Sequence, residues 1–404
     1  MDFSAPFSGW IGPRDAKIVF VGEAWGREED LQKEPFVGAS GKEFWLMLGE
    51  SAQGQQDQHS WAHMKAAQLH IYGNAWIRER AKWMELTRIA FTNVLNVRPP
   101  DNKLVELCAS KKEVEQESPS YDWPALSLGK YLRPQFLPQV ERLFAELALC
   151  RPNLVVALGN TACWALLRTA SIGKIRGAIT AEDIRGRHQK ILPTYHPANV
   201  LYQWSQRPIV VADLMKAWRE GQRPEIQRPR REILWSPTLD EFRQFVRECL
   251  ASPPPLLSCD TETSLGLIDT ISFAPRIDYA LCVQLGPHRY RSGNNYITTY
   301  PQRDGFDVAS YFDPEEELEF WDLTQELLGS PRIRLLFQNG MYDIQYLLRH
   351  GIYPANLAED QMLLHHSIYP EMLKGLGFQG SIYTDEPSWK LMHSRKNDTE
   401  KRDE

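Results

Sequence analysis

Apolar residues in the first half of the chain fall in short unbroken runs rather than in alternation. KIVFVGEA (17–24), RIAFTNVLNVRPP (88–100), PNLVVALGN (152–160) and KILPTYHPANVL (190–201) are rich in Val, Ile and Leu and stop at Gly, Pro or Asn. Runs of this kind predict strands covered on both faces. Between them lie helical patterns such as FLPQVERLFAELAL (136–149). The alternation predicts α/β architecture, a parallel sheet flanked by helices. Segments 50–88 and 102–130 exceed what a minimal fold of this kind needs, and Trp61, Trp76 and Trp83 are suited to pack the first of them. GQRPEIQRPRRE (221–232) has no periodicity and predicts a linker. A second set of elements follows: ILWSPTLDEFRQFVREC, the strand PLLSCDTET, the strand pair TISFAP and YALCVQLG, and helices around 315–328 and 341–350. EEELE (315–319) suits a helix start with acids in its first turn. The expected divisions are 1–222 for a first domain, 223–232 for the linker, 233–392 for a second domain and 393–404 for a charged tail.

With 404 residues and 43% hydrophobic composition the chain can build two cores. Residues 1–232 carry 31 Lys+Arg against 26 Asp+Glu, and residues 233–404 carry 15 against 26. The first half is mildly basic and the second strongly acidic, which leaves the acids as metal ligands or solvated surface. No apolar run approaches the ~20 residues of a membrane span, and no secretory signal is visible. Six scattered cysteines without CxxC spacing fit core thiols of a reducing compartment. The expected location is therefore the cytoplasm, without a membrane partner.

GEAWGREEDLQKEPFVG (22–38) follows the first predicted strand, and TNVLNVRPP, ALGNTA and PTYHPANVL end three others. Loops beyond the carboxyl ends of parallel strands converge on one edge. Phe36, Asn93, His196, Glu23 and Glu29 would meet there. That set suits a nucleobase drawn from the stack: a ring to stack on Phe36, an Asn93 amide to pair one donor and one acceptor with a pyrimidine edge, and a His196 N–H for a carbonyl gaining negative charge.

These four ordered motifs resemble the uracil-DNA glycosylase superfamily, closest to its family 4 branch. The resemblance implies Phe36 as the stacking aromatic, Asn93 as the uracil reader and His196 as the stabiliser of the departing base. Glu23 and Glu29 would position water or face the cationic sugar. Family 4 also carries four cysteines around an iron–sulfur cluster. Here Val97 and Leu132 stand at two of those positions and the N-terminal CxxC is absent, so no cluster and no glycosylase cofactor are expected. Trp25 replaces the usual Pro; it could narrow the pocket, wedge into a duplex or change which base fits. Ala198 replaces a Ser of the last motif.

CDTET places Asp260 and Glu262 two residues apart on a strand, on one face, and NGMYD offers Asp343 at a helix start. The segment 233–390 resembles the 3′–5′ proofreading exonuclease domain of family A DNA polymerases, a ribonuclease H-like α/β fold. Asp260, Glu262 and Asp343 would then bind Mg²⁺ or Mn²⁺, with Asp360 structural. A third motif, Tyr followed four residues later by Asp, is missing, since Tyr383 is followed by Pro387. The domain is expected to be partial and weak or inactive as a nuclease alone.

The combined expectation is a DNA glycosylase that flips and hydrolyses uracil or a related base, joined to an incomplete proofreading domain. Its partner would be DNA, single-stranded or mispaired, in a bacterial or phage-infected cell. The alternative is the DNA-binding N-terminal part of a split family A polymerase. There a polymerase subunit completes the exonuclease, and the glycosylase-like half is not catalytic.

Overall fold

The computed structural model describes residues 5–53, 74–228, 230–292, 295–384 and 386. Trp61, the Trp76 side chain, Pro387 and the 393–404 tail lie outside the described residues. The chain divides into a first unit running to Gln227, which also takes in residues from Gly380, and a second unit, Arg228–Gln379.

The first unit is built on a five-stranded sheet. Its strands β1 (Ile18–Ala24), β2 (Ile89–Leu95), β5 (Leu154–Leu158) and β7 (Arg187–Thr194) are parallel; β6 (Thr180–Ile184) runs antiparallel beside β7. Their order across the sheet is β2-β1-β5-β7-β6. The expected parallel sheet is present, and β6 adds an antiparallel strand at this edge. Arg185 and Gly186 both have positive φ, 53° and 79°, the two-residue turn that closes a tight hairpin. Successive residues of β1 enter opposite cores. Ile18 and Phe20 pack with Phe44, Phe91 and Trp218, while Val19 and Val21 pack with Leu143, Leu147 and Trp164. Both faces are covered, which explains the unbroken apolar runs. Trp83 contributes to this packing, 5.7 Å from Trp45 and 5.9 Å from Trp218 between ring centroids. A small antiparallel pair, β3 (Cys108–Ala109) and β4 (Tyr131–Leu132), lies within the long 102–130 region and its flank.

The second unit holds a mixed six-stranded sheet. β8 (Glu232–Trp235) lies parallel to β11 (Tyr279–Gln284), β9 (Leu257–Ser264) and β10 (Leu267–Arg276) form an antiparallel pair, and β16 (Leu335–Phe337) and β17 (Leu357–Asp360) return parallel. The order is β17-β16-β9-β10-β11-β8. Two ribbons stand outside it: β12 (His288–Ser292) with β13 (Asn295–Thr299), and β14 (Gln302–Arg303) with β15 (Phe306–Asp307). The helix Leu239–Ala251 starts at a Thr238–Glu241 capping box and buries Phe242, Phe245 and Val246. Pro314–Leu328 starts at an Asp313–Glu316 box with Glu315, Glu316 and Glu317 in its first turn, the helix start that EEELE suggested.

Candidate active site

The carboxyl ends of β2, β1, β5 and β7 lie level on one sheet edge: Gly22 pairs with Asn93, and Leu158 with Thr194. A Cβ on Gly22 would stand 2.2 Å from Asn93 Oδ1 and 2.9 Å from Phe36 Cζ. Amide and ring edge therefore close over a backbone that tolerates no side chain. Phe36 has φ +60°, a strained conformation for an aromatic residue, and packs 5.5 Å from Phe44 and 5.4 Å from Phe91. It belongs to the core and to the site at once. Asn93 is 4% exposed, and its amide makes no hydrogen bond among the described residues. An amide held this way has its donor and acceptor unspent.

His196 caps the helix Pro197–Tyr202, its Nδ1 accepting the Ala198 N–H at 3.2 Å. A ring nitrogen that accepts cannot carry the proton, so the neutral ring is protonated at Nε2. Burial holds the imidazole below its ordinary pKa, opposed by the fields of Glu23 and Glu29. The result is a neutral N–H donor. Gly159, at φ +82°, lets this ring in: a Cβ there would be 2.7 Å from His196 Cβ.

Glu23 accepts the Thr161 hydroxyl through Oε2, which orients it from the helix Gly159–Leu167. Glu29 is buried and accepts the Gly38 N–H at 2.8 Å, so it ties the two ends of the 26–38 loop together. Trp25 is 2% exposed, and a Cβ on Gly9 would come within 2.9 Å of its ring. In this position it supports the loop from beneath and has no surface to offer a duplex.

The groups that hold these strand ends were not found from the sequence. Arg142 Nη2 donates to the Asn93 and Val94 carbonyls, and its Nη1 reaches Thr92 Oγ1 at 3.1 Å and Glu146 Oε1 at 2.6 Å. The Thr92 hydroxyl donates to Glu146 at 3.0 Å. A matching set lies below His196: Asp213 accepts from Arg176 and from the Thr194 hydroxyl, both at 2.6 Å. Each end is thus tied by a threonine, a carboxylate and an arginine, all buried. Burial pushes the Glu146 and Asp213 carboxyls up, and their arginines oppose this. The only sequence signal was an Arg–Glu pair four apart inside an apolar helix pattern, which is indistinguishable from a surface ion pair.

An α/β sheet whose strand ends gather an aromatic, an unspent amide, a neutral histidine and an oriented carboxylate defines a base-excising hydrolase. The chain belongs to the uracil DNA glycosylase superfamily, which it matches over residues 9–220. It is 30% identical over 211 residues to a type-4 uracil-DNA glycosylase of Archaeoglobus fulgidus, covering 51% of this chain and 77% of that protein. With the type-4 enzyme of Thermotoga maritima it shares 28% over 210 residues, covering 51% and 78%. Among solved structures it resembles the catalytic core of RRP6 from Trypanosoma brucei at 14% identity and TM-score 0.26, over 38% of this chain and 35% of that one. The EXO domain of Aedes aegypti Nibbler matches at 13% and TM-score 0.24, over 36% and 62%. These two overlaps are too slight to assign a fold.

The residues present do not fit the iron–sulfur cluster that the family 4 resemblance implies. Val97 and Leu132 pack into the core with Trp10, Leu107 and Cys108, and Leu132 pairs directly with Cys108 across β3 and β4. Burial pushes the Cys108 thiol up to about 11, away from the thiolate a cluster needs. Among the described residues no three His, Cys, Asp or Glu side chains gather to hold a metal.

In the second unit Asp260, Glu262 and Asp343, the expected metal ligands, lie on β9 and in the first turn of the helix Met341–Arg349. Asp260 and Glu262 do share the exposed side of β9, with Cys259 and Thr261 on the other. Asp343, however, is buried, and its Oδ1 accepts both the N–H and the hydroxyl of Thr261, at 2.9 and 2.8 Å. Its charge still acts on both Asp260 and Glu262. Burial, then Asp343 and Glu262, pushes Asp260 up to about 6. Asp360 caps the helix Gln361–Ile368 and accepts the Gly340 N–H at 2.8 Å, a structural role. Asp269, which holds His288 Nδ1 at 3.0 Å, was not anticipated from the sequence. Among the described residues no helix is long and apolar enough to cross a membrane.

Proposed function

We propose that this glycosylase releases uracil from DNA by hydrolysing the N-glycosidic bond, without a metal or cluster. The observation that carries the reading is the buried Asn93 amide, unspent and level with Gly22 beside Phe36. A flipped uracil lies against Phe36 and presents one acceptor and one donor to Asn93. His196 Nε2–H donates to the carbonyl that becomes an oxyanion as the bond breaks. A preorganised neutral donor contributes on the order of 3–4 kcal/mol in such a site. Glu23, fixed by Thr161, faces the sugar and orients the attacking water. Glu29 acts through the loop, and Trp25 shapes it from below. Unpaired and mispaired uracils flip at least cost, so they are the favoured substrates. An acidic, partly exonuclease-like second unit fits work near a replication fork in a bacterial or phage-infected cell. That unit would be weak or inactive as a nuclease alone, and a polymerase subunit would bring the further ligands to complete a site.

The test is an oligonucleotide with a single uracil, incubated in EDTA and then treated with alkali. Alkali-dependent cleavage that Asn93→Ala abolishes supports the reading. Cleavage that needs Mg²⁺ and no alkali would sink it. Stoichiometric iron and sulfide in the purified protein would overturn the cluster-free part.

A further inference from the structure

The β12–β13 ribbon of the second unit has no place in the sheet and no core of its own. Every residue of β13 is exposed, Tyr296 by 63%. Two-stranded ribbons are marginal unless something packs on them. One face is secured: His288 is held by Asp269 at 3.0 Å and stacks on Tyr290 at 5.8 Å, and the Arg289 N–H donates to Ser264 Oγ at 3.3 Å. The other face is open. There Arg289 lies 4.4 Å over the Tyr296 ring and has no carboxylate partner among the described residues. Tyr300 follows the ribbon, also exposed.

The composition of this segment is the reverse of its surroundings. PHRYRSGNNYITTYPQR (287–303) holds three Arg, three Tyr and no acid, in a half that carries 26 Asp+Glu against 15 Lys+Arg. Arg303 is already taken by Glu316 at 3.0 Å, which leaves Arg289 to meet a ligand. Arg291 stands opposite Tyr296 in the register. An apolar protein partner would have little use for arginines here, because Ile297 is the one aliphatic residue of the ribbon. Aromatic rings interleaved with guanidinium groups are what an unpaired, anionic strand needs: faces for its bases and positive charge for its phosphates.

We propose that the β12–β13 ribbon binds single-stranded DNA, with bases stacked on Tyr296 and Tyr300 and phosphate met by Arg289. The ribbon would draw a single strand onto a unit whose remaining surface repels it. It is a second DNA contact, separate from the base-reading crevice.

The experiment uses the full chain and a labelled oligo(dT) without uracil, so the outcome is independent of whether the glycosylase reading holds. Anisotropy titrations at several salt concentrations give affinity and salt slope. Tyr296→Ala should weaken binding about tenfold, while Tyr296→Phe, which keeps the ring, stays within about twofold of the parent. Arg289→Ala should reduce the salt slope by about 0.7, one phosphate contact on a single strand. Arg289→Lys should retain that slope. Unchanged binding in both alanine variants overturns the proposal. So does a Tyr296→Phe variant as weak as Tyr296→Ala, or tighter binding to duplex or to oligo(rU) than to oligo(dT).

Discussion

At the sheet edge that carries Asn93 and His196, the buried carboxylates Glu146 and Asp213 each face a guanidinium and a threonine hydroxyl. At the edge that carries Asp260, Glu262 and Asp343, carboxylates face one another, and Asp343 turns to a backbone N–H instead of a cation. The first edge uses paired charge to hold strand ends, beside an Asn93 amide without a hydrogen bond among the described residues. Burial raises the acids of both edges, but on the first arginines oppose the rise, whereas on the second further acids add to that of Asp260. Acids alone therefore do not distinguish the two edges; the cations set behind them do.

The largest test of that contrast is to break one clamp. Glu146→Ala strands the Arg142 guanidinium in the core and should cost about 3–5 kcal/mol of stability by thermal or urea unfolding. A loss below about 1 kcal/mol would mean the clamp is not what holds β2. Next comes chemistry on the clamped edge. His196→Ala should lower the rate of uracil release by about 10²–10³ with DNA binding retained; full activity would remove His196 from the mechanism. Asn93→Asp should weaken the choice of uracil over other bases, because a carboxylate offers no donor. Unchanged preference would mean that another group reads the base.

A smaller effect concerns pH. His196 has a lowered pKa, so its neutral form persists as pH falls through the ordinary imidazole range near 6.5. Single-turnover rates should stay level across that range and fall only below it. The native state resists a proton that the unfolded chain accepts, so stability also declines as pH drops below about 6.5. A rate that halves near pH 6.5 would show an ordinary, solvated imidazole. The smallest effect lies on the second edge. Burial and neighbouring acids push Asp260 up to about 6 in the folded chain, so its charge begins to oppose folding above about pH 4 and does so fully above about 6. Asp260→Asn should melt slightly higher than the parent at pH 8 and lose the advantage only as pH falls below about 4. A lower melting temperature at pH 8 would mean that Asp260 has a favourable partner.

The strands, their order of appearance and the four motifs were legible because local rules govern them. Unbroken Val/Ile/Leu runs require two covered faces, and Gly or Pro stops them. Phe36, Asn93 and His196 could be placed on one edge because parallel strands share a direction. The antiparallel β6 was not legible, since it depends on two positive-φ residues, Arg185 and Gly186, and one of them is not glycine. The β12–β13 ribbon carries period-two alternation on too short a scale to separate from loop.

By itself the sequence determined the α/β class, the residue types at each strand end and the lack of cysteines at the expected cluster positions, since composition and period act along the chain. Only the tertiary structure decided which nitrogen of His196 bears the proton, that Asn93 keeps its amide free, that Thr261 holds Asp343, and that Arg142 and Glu146 lie inside the protein. The Asp343–Thr261 and Arg142–Thr92 contacts join segments distant in sequence, and the burial of the others depends on such packing. Pairing of buried polar groups is settled by which partners packing brings within about 3 Å, a distance no local pattern encodes.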